Sequence, residues 1–328
     1  MKVIAIQDFY FLSVIALIKI VSWLPSVGLK ECVVHSVAFS AYLLSKTKRR
    51  LGQTNLTKAC GGKMTQRQVR RILRRSFYEF WFDTFAMLPS KTEQSAIKQA
   101  DLQGGEHLHR ALENGKGAIL WVSNYFGPMV LTKQILHENG FAVHKVHVEN
   151  HRGGFHYVGS PTWVQHKIIR PFFERCEKPF IAGILYLPDS DSLAFTRAFR
   201  ERLTANGIIC AAGDGKSGRK FVAVNFLGFT ERFATGMVSL ARLSGAPILP
   251  VFCIQDGEDK RTLIIENPVY LKGKSDREHE LENSLKHYAS LLEAYINRYP
   301  QLYRNWHMLG ESSVSEAFRS GHDNRSIR

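Results

Sequence analysis

The sequence predicts an α/β protein: a mixed, largely parallel sheet with helices on both faces, preceded by hydrophobic N-terminal helices. Short apolar runs alternate with helix-length segments between residues 104 and 266, the pattern of strands joined by crossover helices. Of the 328 residues, 45% are apolar and 11% aromatic, so a sizeable core can form and global disorder is excluded. The first fifty residues carry two apolar stretches with very few charges.

The first of these stretches runs from Phe9 to Leu24 with Lys19 as its single charge. A bilayer span needs roughly 20 apolar residues, so it is either a short tilted span or a helix lying in the headgroup layer. It does not read as a signal peptide, because Pro25 and SVG lead into charged residues and then more apolar sequence. The second stretch, Val33 to Leu44, ends in Lys46, Lys48, Arg49 and Arg50. A basic cluster there suits the cytoplasmic face of a membrane and its anionic lipids. The soluble alternative makes both stretches core helices.

Residues 51–64 read as a polar, glycine-containing break. Thr65 with Gln68 forms a capping-box pattern that opens a helix. Val69, Ile72, Leu73, Phe80 and Phe85 supply its apolar face, while Arg67, Arg70, Arg71, Arg74 and Arg75 load its first half with charge. That charge is either a solvated face or a basic amphipathic surface resting on anionic lipid. Strands are expected at 118–123, 141–148, 180–187, 207–212, 247–254 and 262–266, with helices around 104–114, 129–139, 191–206 and 234–245 between them. A last helix covers roughly Ser275 to Tyr299. The chain thus divides into residues 1–50 (membrane-associating helices), 51–310 (the α/β domain) and 311–328 (a polar tail). In such sheets, sites gather in loops beyond the carboxyl ends of the strands.

Forty-four Lys and Arg against 29 Asp and Glu give a formal net charge of +15, which calls for an anionic partner. Nucleic acid is set aside, since the chain has no zinc pattern, RNP motif or evident recognition helix. Anionic lipid or a phosphorylated substrate remains. The five cysteines are odd in number and far apart, with no CxxC pair. Reduced thiols are therefore expected, with neither a disulfide framework nor a metal site.

From Gly115, GKGAILWVSNYFGPMVL resembles the first motif of the lipid A lauroyl and myristoyl acyltransferases, within the lysophospholipid acyltransferase superfamily. A second block, from Asn206 to Phe252, resembles the later strand, Asp loop, Thr-Gly helix and Gly-Ala-Pro strand of that family. NLTKACG at 55–61 and YPQLYRNWHML at 299–309 are weaker matches in the same order. The resemblance implies transfer of a fatty acyl group from an acyl-carrier-protein or CoA thioester to a hydroxyl of a glycolipid or saccharide. It places the protein on the cytoplasmic face of a bacterial inner membrane. The thioester would be a donor substrate, and no cofactor is implied.

In that family a His removes the proton of the acceptor alcohol and a carboxylate five positions on holds the imidazole. Here the His position falls on Tyr125 and the acid position on Val130, whose side chain is expected against the sheet. Shifting the register by one gives Asn124 and Met129, so no register yields a dyad. Three accounts stay open. The protein has lost catalysis and binds lipid or a partner. Alternatively, His147, Glu149 and His151, which share one side of an extended segment, supply a surrogate base, with His151 and Glu149 the candidates. Or Asn124 or Tyr125 only orients the acceptor, since positioning alone can lower a barrier by up to ~7–11 kcal/mol. Asn124, Phe126 and Gly127 are candidates for substrate contact. So is the loop 211–220, where Asp214 follows a buried strand and Lys216 and Arg219 could meet phosphate.

Overall fold

The computed structural model describes residues 3–89, 97–148, 151–152, 155–156, 162–187, 192–215, 218, 220–256, 260–271 and 276–310. Four helices come first: α1 (Ile6–Trp23), α2 (Val27–Leu44), α3 (Lys46–Ala59) and α4 (Gln66–Phe85). Then follow β1 (Asp101–Gln103), α5 (Gly105–Glu113), β2 (Ala118–Val122), α6 (Met129–Glu138), β3 (Val143–Val148), β4 (His151–Arg152) and β5 (Phe155–His156). The remainder comprises α7 (Arg170–Glu177), β6 (Gly183–Leu187), α8 (Ser192–Thr204), β7 (Ile208–Ala212), β8 (Phe221–Phe226), β9 (Phe229–Ala234), α9 (Gly236–Ser244), β10 (Ile248–Asp256), β11 (Lys260–Ile265) and α10 (Arg277–Arg298).

Seven strands form one sheet in the order β1-β11-β10-β2-β7-β3-β6. β10, β2, β7, β3 and β6 are mutually parallel, while β11 runs antiparallel to β10 and carries β1 along its outer edge. The expected mixed, largely parallel sheet is therefore present, with β2 and β7 at its centre. Alternation along β2 sets the two layers. Ala118, Leu120 and Val122 face a core with Leu108 of α5 and Leu131 and Ile135 of α6. Ile119 and Trp121 face a second core with Phe199 of α8, Val238 of α9 and Leu285, Tyr288 and Leu292 of α10.

A third core joins the N-terminal helices to the domain. Phe11, Val14, Ile18 and Val21 of α1 and Val34 of α2 pack with Trp81 and Phe85 of α4 and Phe172 of α7. Asp8 fixes the start of α1: its carboxylate accepts hydrogen bonds from Ala5 N (2.6 Å), Thr162 Oγ1 (2.9 Å) and Gln165 Nε2 (2.7 Å). The opposite faces stay bare, with Trp23 85% and Leu44 82% exposed. Each helix has 18 residues, about 27 Å at ~1.5 Å per residue, and is long and apolar enough to cross a membrane. Two such helices, each bare on one side, suggest membrane association.

The break expected over 51–64 is mostly helix. α3 runs through residue 50 to Ala59, and only then do Gly61 (φ 59) and Gly62 (φ 71) turn the chain. Its polar residues have distant partners: Asn55 Nδ2 donates to the carbonyls of Trp306 (2.9 Å) and Leu309 (3.0 Å). The expected capping box at Thr65 is present, with Thr65 N donating to Gln68 Oε1 (2.8 Å) and Gln68 N to Thr65 Oγ1 (3.3 Å). The hairpin β8–β9 was not foreseen; Leu227 (φ 53) and Gly228 (φ 75) form its two-residue turn, the positive-φ pair that matches strand twist.

Candidate active site

β2 ends at Val122 in the middle of the sheet, and Ser123–Gly127, followed by Pro128, connect it to the start of α6 at Met129. This is the carboxyl end of the parallel strands. The connection is braced from three directions. From β7, Asp214 receives the Ser123 hydroxyl and the Asn124 N–H (2.7 Å). Ser123 Oγ in turn accepts from the N–H groups of Tyr125 (3.1 Å) and Phe126 (2.9 Å). A serine hydroxyl has one proton and two lone pairs, so all of its capacity is committed. Ser123 is a fastening of the loop rather than a free nucleophile.

The second brace is the segment after α10. Arg304 donates from Nη2 to Asn124 O (2.8 Å) and from its backbone N–H to Tyr125 O (2.7 Å). Phe126 forms an antiparallel bridge with Tyr303, and Gly127 N donates to Leu302 O (3.1 Å). The third brace is Asp83 of α4, which accepts from Met129 N (3.1 Å), Val130 N (2.8 Å) and Arg304 Nη1 (2.9 Å). A carboxylate at a helix N-terminus satisfies orphan N–H groups and complements the helix dipole. Asp83 thus ties α4, α6 and the C-terminal segment at one point.

Gly127 is required by geometry. Its φ is +67, and a Cβ there would lie 2.4 Å from Cys253 O of β10. Phe126, a candidate for substrate contact, is 4% exposed and sits edge-on to Phe252 at 6.1 Å between centroids; its ring anchors the loop in the core. Asp214 is also buried. Asn124 is half-buried with Nδ2 toward Gly215, which brings the two loops singled out from the sequence side by side. Tyr125 is half-buried and packs on the core that contains Trp121, Tyr288 and Tyr303. Behind it, Trp121 and Tyr288 stack at 4.4 Å, and among the described residues neither Trp121 Nε1 nor the Tyr288 hydroxyl has a hydrogen-bond partner. Burial, with the nearby Asp214 charge adding to it, holds the phenols of Tyr288 and Tyr303 well above the usual tyrosine range, so both remain protonated.

Val130 is 4% exposed, yet it does not lie against the sheet as expected. It packs with the helical core of Phe11, Trp81 and Phe172, because Asp83 turns the first residues of α6 toward α4. One turn later, Lys133 of α6 and Lys145 of β3 both hold Glu177 of α7 in the interior. Burial alone would raise the Glu177 carboxyl, but the two ammonium groups bring it down to about 2.

The expected surrogate base is only partly described. Glu149, Lys216 and Arg219 lie outside the described residues, and of His151 only the backbone is described, paired with His156 in the short β4–β5 hairpin. β3 ends at Val148. His147 shares its face with Lys145 by alternation, and so lies on the α6–α7 side, whereas Tyr125 packs on the α10 side. Asp83, Ser123 and Arg304 were not foreseen. The available signal was an acid in the apolar run FWFDTF and an arginine in the terminal block, since buried charges require partners.

The chain is similar in sequence to known proteins. Residues 2–149 and 185–310 match the family described as bacterial lipid A biosynthesis acyltransferase. A phosphatidylinositol mannoside acyltransferase of Mycolicibacterium smegmatis is 27% identical over 183 residues, 56% of this chain and 55% of that one. The match therefore spans about half the length of that relative. Among solved structures, the 1-acyl-sn-glycerophosphate (LPA) acyltransferase PlsC of Thermotoga maritima shares 16% identity. It covers 81% of this chain and 96% of its own, with a TM-score of 0.37.

Proposed function

Since the chain belongs to the bacterial lipid A biosynthesis acyltransferase family, we propose that it transfers a fatty acyl group from a thioester to a hydroxyl of a membrane glycolipid. Members of this family are acyltransferases, and acyl-carrier-protein or CoA thioesters would be the donors. The observation that carries the proposal is the Ser123–Gly127 connection, fixed at the carboxyl end of the central strand by Asp214, Arg304 and Asp83. A surface held this firmly can align an acceptor hydroxyl with a thioester carbonyl, and such alignment can lower a barrier by up to ~7–11 kcal/mol. Asn124 and Tyr125 would orient the acceptor. In this proposal the proton is taken by Glu149 or His151, and Lys216 and Arg219 meet donor or acceptor phosphates. The bare faces of α1 and α2 and the arginines of α4 would hold the protein on the inner membrane's cytoplasmic side.

A second reading, a lipid-binding protein without turnover, is favoured by the tyrosine and valine at the family's base and acid positions. Thioester consumption by the full-length protein, with a panel of glycolipid acceptors, separates the two. The enzyme reading expects turnover that His151→Ala or Glu149→Gln lowers by about 10²–10⁴-fold. Binding of acceptor without any thioester consumption would establish the second reading.

A further inference from the structure

Between α2 and α4 lies a groove of about 1230 Å³, floored by Leu131 and walled by Val34 and Ala38 on one side and Ile72, Phe82 and Phe85 on the other. Pockets for compact ligands occupy about 300–1,000 Å³, so this groove suits something larger and mostly apolar. Its charged lining is one-sided: Lys30, Arg71, Arg74, Arg75 and Arg261 against Glu31. Arg75 and Arg261 are engaged by Glu79 beneath them, at 2.9 Å each. Arg71 and Arg74 are exposed, and no carboxylate of the described residues pairs with either; Arg74 rests over the Phe39 ring at 5.3 Å. The groove runs into the bare apolar side of α2, where Leu29, Phe39 and Leu43 are about half exposed. None of its lining residues belongs to the Ser123–Gly127 connection.

We propose that this groove binds one anionic diacyl phospholipid drawn from the bilayer, its acyl chains along the α2–α4 cleft and its phosphate between Arg71 and Arg74. Two unpaired guanidinium groups at the rim of an apolar cleft match a phosphodiester at the head of two hydrocarbon chains. The excess positive charge at the rim favours an anionic lipid over a zwitterionic or neutral one. Seating such a lipid would set the depth at which α4, and through Asp83 the start of α6, meets the membrane. The proposal concerns binding alone and stands whether or not the protein turns over a thioester.

Native mass spectrometry of the full-length protein, released from micelles containing equal phosphatidylglycerol and phosphatidylcholine, tests it. One retained phosphatidylglycerol per chain is expected, in preference to phosphatidylcholine. Arg71→Gln with Arg74→Gln should lower that retention by about tenfold or more. Arg197→Gln with Arg200→Gln removes the same charge from the exposed side of α8, away from the groove, and should leave retention unchanged. Arg71→Lys with Arg74→Lys guards against a folding defect and should retain the lipid at least in part. Equal retention of the two lipids, equal loss from the two glutamine pairs, or displacement of the lipid by an acyl thioester would each overturn the proposal.

Discussion

Replacing Asp83 by Asn tests whether the three-way junction holds the candidate site together. The carboxylate accepts three hydrogen bonds, from Met129 N, Val130 N and Arg304 Nη1, at 3.1, 2.8 and 2.9 Å. The Asp83 and Arg304 side chains are 9% and 10% exposed, so solvent screens little of the interaction. Asn retains one acceptor oxygen and turns an NH2 toward a neighbouring donor. Each bond to a charged group contributes about 1.5–3 kcal/mol. Removing one member of a buried pair costs about 3–5 kcal/mol, because the other charge is left unpartnered. These contributions overlap and do not add, so a loss of about 3–5 kcal/mol is expected, or at least roughly 4 °C in melting temperature. Arg304→Gln should lose a similar amount together with its bond to Asn124 O. Removing both charges together should cost less than the two single losses combined, with a coupling of at least about 1 kcal/mol. Thermal melting of the four proteins in one detergent is the assay. If Asp83→Asn melts within about 2 °C of the parent, a shift typical of an ordinary surface change, the junction does not brace the loop. Strict additivity in the double variant would be equally damaging.

Gly127→Ala should destabilise by about 2 kcal/mol or more, since positive φ alone costs roughly 1–2 kcal/mol and the new methyl meets Cys253 O at 2.4 Å. A melt unchanged from the parent would contradict that geometry. Glu177→Gln should cost about 3–5 kcal/mol by leaving Lys133 and Lys145 buried without a carboxylate. In the parent, the Glu177 carboxyl is lowered from 4.5 to about 2. Its stabilisation is therefore complete above pH 4.5 and is lost as pH falls toward about 2; acid titration of the melting temperature should show this slope flattened in the variant. Val130→Glu alone should lower the melting temperature markedly, because a carboxylate would be forced among Phe11, Trp81 and Phe172 at a cost of several kcal/mol. With Tyr125→His added, thioester consumption should not rise, because Val130 packs toward Phe11 and Phe172 while Tyr125 packs on the α10 side; a rise above the parent would show that the two positions meet as in the family.

The parts of the fold readable from sequence were those set by local periodicity. The strands at 118–122, 208–212 and 248–256 are runs long enough to bury on both faces, and α4 carried its own capping box at Thr65. Composition misled at 51–59. Asn55 makes the segment look like a loop, but its amide is bonded to carbonyls more than 250 residues away. The candidate site was half legible. Its backbone path through Asn124, Tyr125 and Gly127 and its neighbour Asp214 stood out as motifs. Asp83 and Arg304 did not, because their meaning lies in a contact between residues 221 positions apart. Phe126 shows the converse: a motif residue whose side chain is anchoring core.

The dependence of the Ser123–Gly127 connection on Arg304 also has a temporal side. The arginine that grips Asn124 O is encoded 180 residues after it. At translation rates of about 5–20 residues per second, the loop waits roughly 9 to 36 seconds for its brace. The apolar helices α1 and α2 emerge long before that, and the core that α1 shares with α4 and α7 is complete by Ile181. A nascent chain can therefore form its N-terminal core while the Ser123–Gly127 connection still lacks its brace, which arrives only with residue 304. Ribosome-bound chains halted before that residue would carry a formed N-terminal core and an unbraced connection.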